Sequence, residues 1–230
     1  VAVKKNGTTL HTYIITAPGG KHCIFANPGD SVWALEPEEL PVDLMDSMDI
    51  FYNDMFSPKA ALWLAKEAVR QNKPVIYNMQ CVPSFMERCG TSMQEIEEMM
   101  GLCTVFVSGR EGYMEMTGET DCRKAMKILQ EKYHIKDGVI CTTGGDGAIW
   151  LKEEEIQVPA YGIKAVDTTG AGDSFLGGLI YAYFYEKREK KEALDFANAT
   201  AAIKCMQEGP RSRASVEQVQ KFRDSVKREL

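Results

Sequence analysis

Val166-Asp167-Thr168-Thr169-Gly170-Ala171-Gly172-Asp173-Ser174-Phe175 leads a glycine-rich turn directly into an apolar run of helical period over 175–185. Gly170, Ala171 and Gly172 have almost no side-chain bulk. Backbone N–H groups at the start of the helix can therefore converge on an anion, where unsatisfied donors and the helix dipole both favour negative charge. Asp173 falls in the first helical turn, close enough to take a proton from a hydroxyl attacking a phosphoryl group. Ordinary capping explains an Asp after glycines equally well on local physics. No Gly-Lys-Ser/Thr follows the glycines, so the turn is not a P-loop.

Outward from this turn, short apolar runs alternate with longer segments of helical period from residue 48 onward. That is the pattern of a parallel sheet covered by helices, an α/β fold. Strands are predicted at 48–52, 74–79, 103–108, 138–143, 148–151 and 155–160. Helices are predicted at 93–100, 121–133, 173–186, 191–206 and 215–228. Another opens at Pro58, with Ser57 as its N-cap, and carries Leu62, Ala65 and Val69. Before these, 10–16 and 22–26 are strand-like around the turn Pro18-Gly19-Gly20, which suggests a hairpin.

A chain of 230 residues, 44% of them hydrophobic, can bury one sizeable core. Its net charge of −6 gives no basic field to draw nucleic acid or an anionic membrane. The seven cysteines are odd in number, scattered and without a Cys-x-x-Cys pair, which argues against a zinc site or a disulfide framework. Cys103 and Cys141 sit in apolar runs and read as reduced, buried thiols. No stretch approaches the roughly 20 apolar residues needed to span a bilayer, and the first residues lack a signal peptide's apolar core, so a cytoplasmic location is expected. His11, His22 and His134 have no metal spacing and read as surface residues. Met86, Met93, Met99, Met100, Met114, Met116 and Met126 read as core filler.

The heptad Asp167-Thr168-Thr169-Gly170-Ala171-Gly172-Asp173, with Ser174-Phe175 and Gly177-Gly178 behind it, closely resembles the C-terminal signature of the ribokinase-like (PfkB-type) carbohydrate kinases. The resemblance implies a three-layer αβα sandwich on a Rossmann-type parallel sheet. It further implies a partial β-lid at 1–30 and an α/β nucleotide-binding domain at 31–230. In several such kinases the lid also makes a homodimer contact. The implied activity is ATP-dependent phosphoryl transfer to a hydroxyl of a sugar or sugar-like alcohol. Asp173 would be general base and acceptor contact, and Gly170, Ala171 and Gly172 the anion hole.

Thr142-Thr143-Gly144-Gly145-Asp146-Gly147 reads on its own as a glycine-rich hairpin turn or as a close approach of backbone to ligand. It resembles the family's Thr-x-Gly-x-x-Gly segment, which makes Thr142, Thr143, Gly144 and Gly147, together with Gly172, nucleotide-binding residues. Phe196-Ala197-Asn198-Ala199-Thr200-Ala201-Ala202 by default means close helix packing, while the family match places Asn198 beside the adenine. Asp167 and Thr169, near Gly209, would hold a monovalent cation such as potassium through oxygen atoms. Asn78, in Tyr77-Asn78-Met79-Gln80, matches a polar contact near the phosphates.

The chain departs from the family in one place. Where Asn-x-x-Glu ordinarily organises the magnesium of Mg·ATP, it has Gly109 and Gly112. Glu111 would substitute in the magnesium network if the loop shifts, or simply answers a helix dipole. Family members are also longer, so the first strands of the sheet and the residues that grip the sugar are expected to be missing in front of Val1. A non-catalytic nucleotide- or sugar-binding relative is the alternative. A dinucleotide-dependent oxidoreductase ranks far lower, because no Gly-x-Gly-x-x-Gly lies between a first strand and helix.

Overall fold

The computed structural model describes residues 4–16, 22–30 and 33–226. The predicted turn Pro18-Gly19-Gly20 lies outside them, as do the last residues of the helix predicted at 215–228. The two strands it would join are present as a two-stranded sheet, β1 (His11–Thr16) and β2 (His22–Asn27). Its side chains Tyr13, Ile15 and Phe25 are well exposed. The chain divides into two compact units. One comprises Val1–Thr12, Ala26–Cys141 and Leu151–Glu154, and the other Tyr13–Phe25, Thr142–Trp150 and Glu155–Leu230.

In the first unit β3 (Phe51–Asn53), β4 (Val75–Met79), β5 (Val105–Gly109) and β6 (Gly138–Thr142) are hydrogen bonded in chain order. Strands β3 to β5 are parallel, with Tyr52 opposite Ile76 and Asn78 opposite Val107. Every residue of β4 is buried, as expected of a strand covered on both faces. Strand β3 starts later than predicted because 44–47 close a 3-10 turn, and ladder bonding begins only where the Phe51 N–H donates to the Pro74 carbonyl.

Helices α1 (Pro58–Arg70), α2 (Pro83–Arg88), α3 (Met93–Leu102), α4 (Arg110–Thr117) and α5 (Cys122–Tyr133) complete this unit. Ser92 and Glu95 form a capping box on α3, and Asp121 caps α5 through the amides of Arg123 and Lys124. Ser57 is the N-cap of α1 but makes no side-chain cap bond. Leu62 and Ala65 are buried there as expected, whereas Val69 is 46% exposed. The inward stripe continues from Ala65 through Ala68, three positions on, which leaves Val69 turned to solvent.

The second unit holds β7 (Ala148–Leu151), β8 (Glu155–Val158), α6 (Ala171–Leu179), α7 (Lys190–Cys205) and α8 (Val216–Ser225). Strand β8 stops two residues short of its predicted end because Pro159 has no N–H for the ladder. Helix α6 begins two residues early and passes into a π-helical segment over Ile180–Tyr185. That wider turn lets the Tyr183 ring meet Trp150 at 4.8 Å and the Tyr181 ring meet Phe196 at 5.6 Å.

Helices α6 and α7 approach so closely that a Cβ on Gly178 would lie 2.7 Å from Thr200 Oγ1 and 3.1 Å from Ala197 Cα. The small-residue face of α7 is thus used for packing. A buried polar chain fixes what surrounds it. Tyr161 donates to Asp195 at 3.1 Å, and Arg223 Nε of α8 donates to the same carboxylate at 2.7 Å. Among the described residues no helix is long and apolar enough to cross a membrane.

Candidate active site

Gly170 is the N-cap of α6 and takes the left-handed conformation, φ +77°. The following amides are not equivalent. The Ala171 N–H donates to the Thr168 carbonyl at 3.1 Å and the Ser174 N–H to the Gly170 carbonyl at 3.0 Å. Helix geometry gives the Gly172 amide no intrahelical acceptor, and the space beside its Cα is open. The predicted three-residue donor set therefore has its Ala171 member turned inward, onto the loop's own backbone. Asp173 is exposed in the first turn of α6.

Beside this turn the second unit has a cavity of about 460 Å³, within the range of small-molecule sites. Of the residues singled out from sequence, Thr142, Gly144, Gly147, Ala171, Gly172 and Asn198 line it. Thr143 does not, because its hydroxyl and its N–H both go to the Gly147 carbonyl, at 2.9 and 2.8 Å, and close the loop on itself. Gly147, at φ +103°, permits that closure, since a Cβ there would run into the Val158 carbonyl. Asn198 reaches the cavity with its amide nitrogen committed to the carbonyls of Val158 and Pro159, at 3.1 and 3.2 Å. It thereby fixes the chain leaving β8.

That stretch forms much of the wall through Tyr161, Gly162 and Ile163, which sequence reasoning missed. Its signal was available, because an apolar, small-residue segment without period follows a Pro and runs straight to Asp167. Phe175, Ala202 and Cys205 add to the apolar part of the lining.

Asp167 lies outside the cavity lining and organises the turn. Its Oδ1 accepts the Thr169 N–H at 2.9 Å and its Oδ2 the Gly209 N–H at 3.0 Å. Donation by Thr169 first, with Gly209 and Lys204 adding to it, holds the Asp167 carboxyl below the usual carboxylate range. Thr169 Oγ1 is buried without a hydrogen-bond partner among the described residues. Glu111 belongs to the first unit, exposed in the first turn of α4. Asn78, also in the first unit, is buried and donates to the Tyr52 hydroxyl at 3.2 Å.

A glycine-capped helix start beside an apolar cavity, on a strand-and-helix framework, defines an α/β protein with a small-molecule-sized cavity at a helix N-terminus. Residues 1–217 match the pfkB family of carbohydrate kinases, and the chain belongs to that family. It is similar to the bifunctional protein HldE of Helicobacter acinonychis (strain Sheeba), 35% identical over 91 residues that make up 40% of this chain and 19% of that protein. Among solved structures it resembles adenosine kinase from Sinorhizobium meliloti, with a TM-score of 0.81 at 21% identity over 95% of this chain and 66% of that one. Ribokinase from Thermotoga maritima gives a TM-score of 0.77 at 24% identity, covering 96% and 71%. The fold is thus ribokinase-like, as the signature implied. The chain spans 66% of the adenosine kinase, and the matched stretch 19% of the bifunctional protein.

Proposed function

We propose that this chain carries the nucleotide and base half of a reaction in which ATP phosphorylates a hydroxyl of a sugar or sugar-like alcohol. One observation carries the reading. The first turn of α6 is both a wall of the 460 Å³ cavity and the place of Asp173. A nucleotide lying with its ring among Ala202, Cys205 and Ile163 directs its phosphates toward the Gly172 amide and the positive end of α6. Asp173 takes the acceptor's proton as that oxygen bonds to the γ-phosphorus and the bond to the β-phosphate oxygen breaks, releasing ADP.

Magnesium bound to the phosphates of ATP would neutralise part of their charge. Among the described residues no group of three or more His, Cys, Asp or Glu is placed to hold a metal. The exposed apolar side chains of the hairpin support its reading as a lid and as the contact of a homodimer.

The test is ADP release from Mg·ATP across a panel of hexoses, pentoses, sugar acids and nucleosides, run beside calorimetric binding of ATP. Turnover with one acceptor class is expected. The alternative, a non-catalytic binding relative, draws support from Gly109 and Gly112 standing where the family's magnesium-organising pair would be. Saturable ATP binding without turnover on any acceptor would establish it.

A further inference from the structure

Lys204, the penultimate residue of α7, is 0% exposed. A buried ammonium is costly unless oxygen atoms replace its water. Here they come from Asp167, whose backbone carbonyl accepts from Lys204 Nζ at 2.7 Å and whose Oδ2 lies 4.0 Å away.

The place is electronegative by construction. The last turn of α7 is the negative end of its dipole. The Cys205 carbonyl there accepts the N–H groups of both Val166 and Asp167, at 2.8 and 3.1 Å, laying the start of the signature turn across the helix end. Carbonyl and carboxylate oxygens converging on a helix C-terminus are what a hard cation seeks.

The family resemblance implies a diffusible monovalent ion held by Asp167 and Thr169, and the residues present do not fit one. Both Asp167 carboxylate oxygens already accept backbone N–H groups, and a covalently tethered cation already lies against the residue. The partnerless Thr169 hydroxyl does not reverse this, because water satisfies a hydroxyl and no positive charge is needed for it.

We propose that the Lys204 ammonium takes the place of the activating monovalent cation. It positions the turn by a relay. Lys204 holds Asp167, Asp167 holds the Thr169 and Gly209 amides, and the turn so fixed delivers Gly170, Gly172 and Asp173. The functional meaning of that turn rests on the proposed kinase reading, but the cation question does not.

The test compares thermal unfolding and binding of a non-hydrolysable ATP analogue in potassium chloride and in tetramethylammonium chloride of equal ionic strength. The native chain is expected to give the same midpoint and affinity in both salts. Lys204→Ala is expected to melt several degrees lower and bind the analogue more weakly in tetramethylammonium, with potassium restoring part of both. Lys204→Met, which keeps the side-chain length without the charge, is expected to lose affinity that potassium does not restore.

A potassium-specific rise in the native midpoint would overturn the proposal, as would a Lys204→Ala protein indifferent to potassium. If neither variant folds, the comparison of salts on the native chain decides alone. None of these measurements needs turnover, so failure to phosphorylate any acceptor would count against the kinase reading and not against Lys204.

Discussion

Gly170 stands against the Pro210 carbonyl so closely that any side chain at position 170 would run into that oxygen, while its own φ of +77° is left-handed. Two costs would add for any other residue, the left-handed backbone at about 1–2 kcal/mol and the forced displacement at about 1–3 kcal/mol. Gly170→Ala is therefore expected to lose about 2–5 kcal/mol of stability. Gly172→Ala is its control. A Cβ there meets nothing within 4 Å, and Ala favours a helix over Gly. Its stability should hold or rise slightly while affinity for an ATP analogue falls, because the methyl keeps phosphate from the backbone. Denaturant unfolding and calorimetry on the two variants check the contrast, and equal stabilities would show that Pro210 yields.

The α/β class and most element positions were legible because apolar period and length mark buried strands and amphipathic helices. What escaped was short or tertiary. Helices α2 and α4 are six and eight residues long, too brief for their periods to stand out. Only Pro83 at a first position and Gly118 in a left-handed C-cap signal them. The candidate site was legible through its glycines, whose positive φ values at 144, 147 and 170 belong to the turns themselves. The commitment of Asn198 to the β8 exit and the approach of Lys204 to Asp167 depend on partners remote in sequence. No local pattern encodes them.

Asp173→Asn tests the base. The substitution keeps size and polarity at an exposed first-turn position, so fold and ATP binding should persist. Removing a general base is expected to cut kcat by about 10²- to 10⁴-fold with little change in KM for ATP. An unchanged kcat on an acceptor that the native protein phosphorylates would assign the proton to another group.

Gly112 stands where the resemblance expects a glutamate, and its packing explains why none is there. A Cβ would collide with Ser108 Oγ and come within 2.8 Å of Met79 Cε. Ser108 is itself held by a 2.9 Å bond to the Met79 carbonyl. Gly112→Glu is expected to destabilise by about 1–3 kcal/mol, as overpacking does, without strengthening magnesium dependence. At Gly109, the N-cap of α4, the nearest atom to a Cβ is Glu111 Oε2 at 3.6 Å, an ordinary contact. Gly109→Asn should be tolerated and gain a few tenths of a kcal/mol from its cap. Melting curves for the pair, with and without Mg·ATP, read both effects.

The Cys122 and Cys141 sulfurs lie 3.2 Å apart, Cys122 half-buried at the first position of α5 and Cys141 buried in β6. Hydrogen bonding from Cys141 is the main cause that holds the Cys122 thiol below its usual range, and nearby Arg110 adds to it. The same pairing and burial push Cys141 up. Burial also raises Cys81, whose exposure is similar to that of Cys122. A lowered pKa means that thiolate forms at lower pH, so the Cys122 alkylation rate should reach half its plateau below the ordinary thiol value of about 8.5, with Cys81 following above it. Peptide mass spectrometry after timed iodoacetamide exposure across this pH range checks the order. Cys141→Ala removes the donor and should move the Cys122 midpoint upward, and a midpoint unmoved by that change would leave Arg110 as the cause.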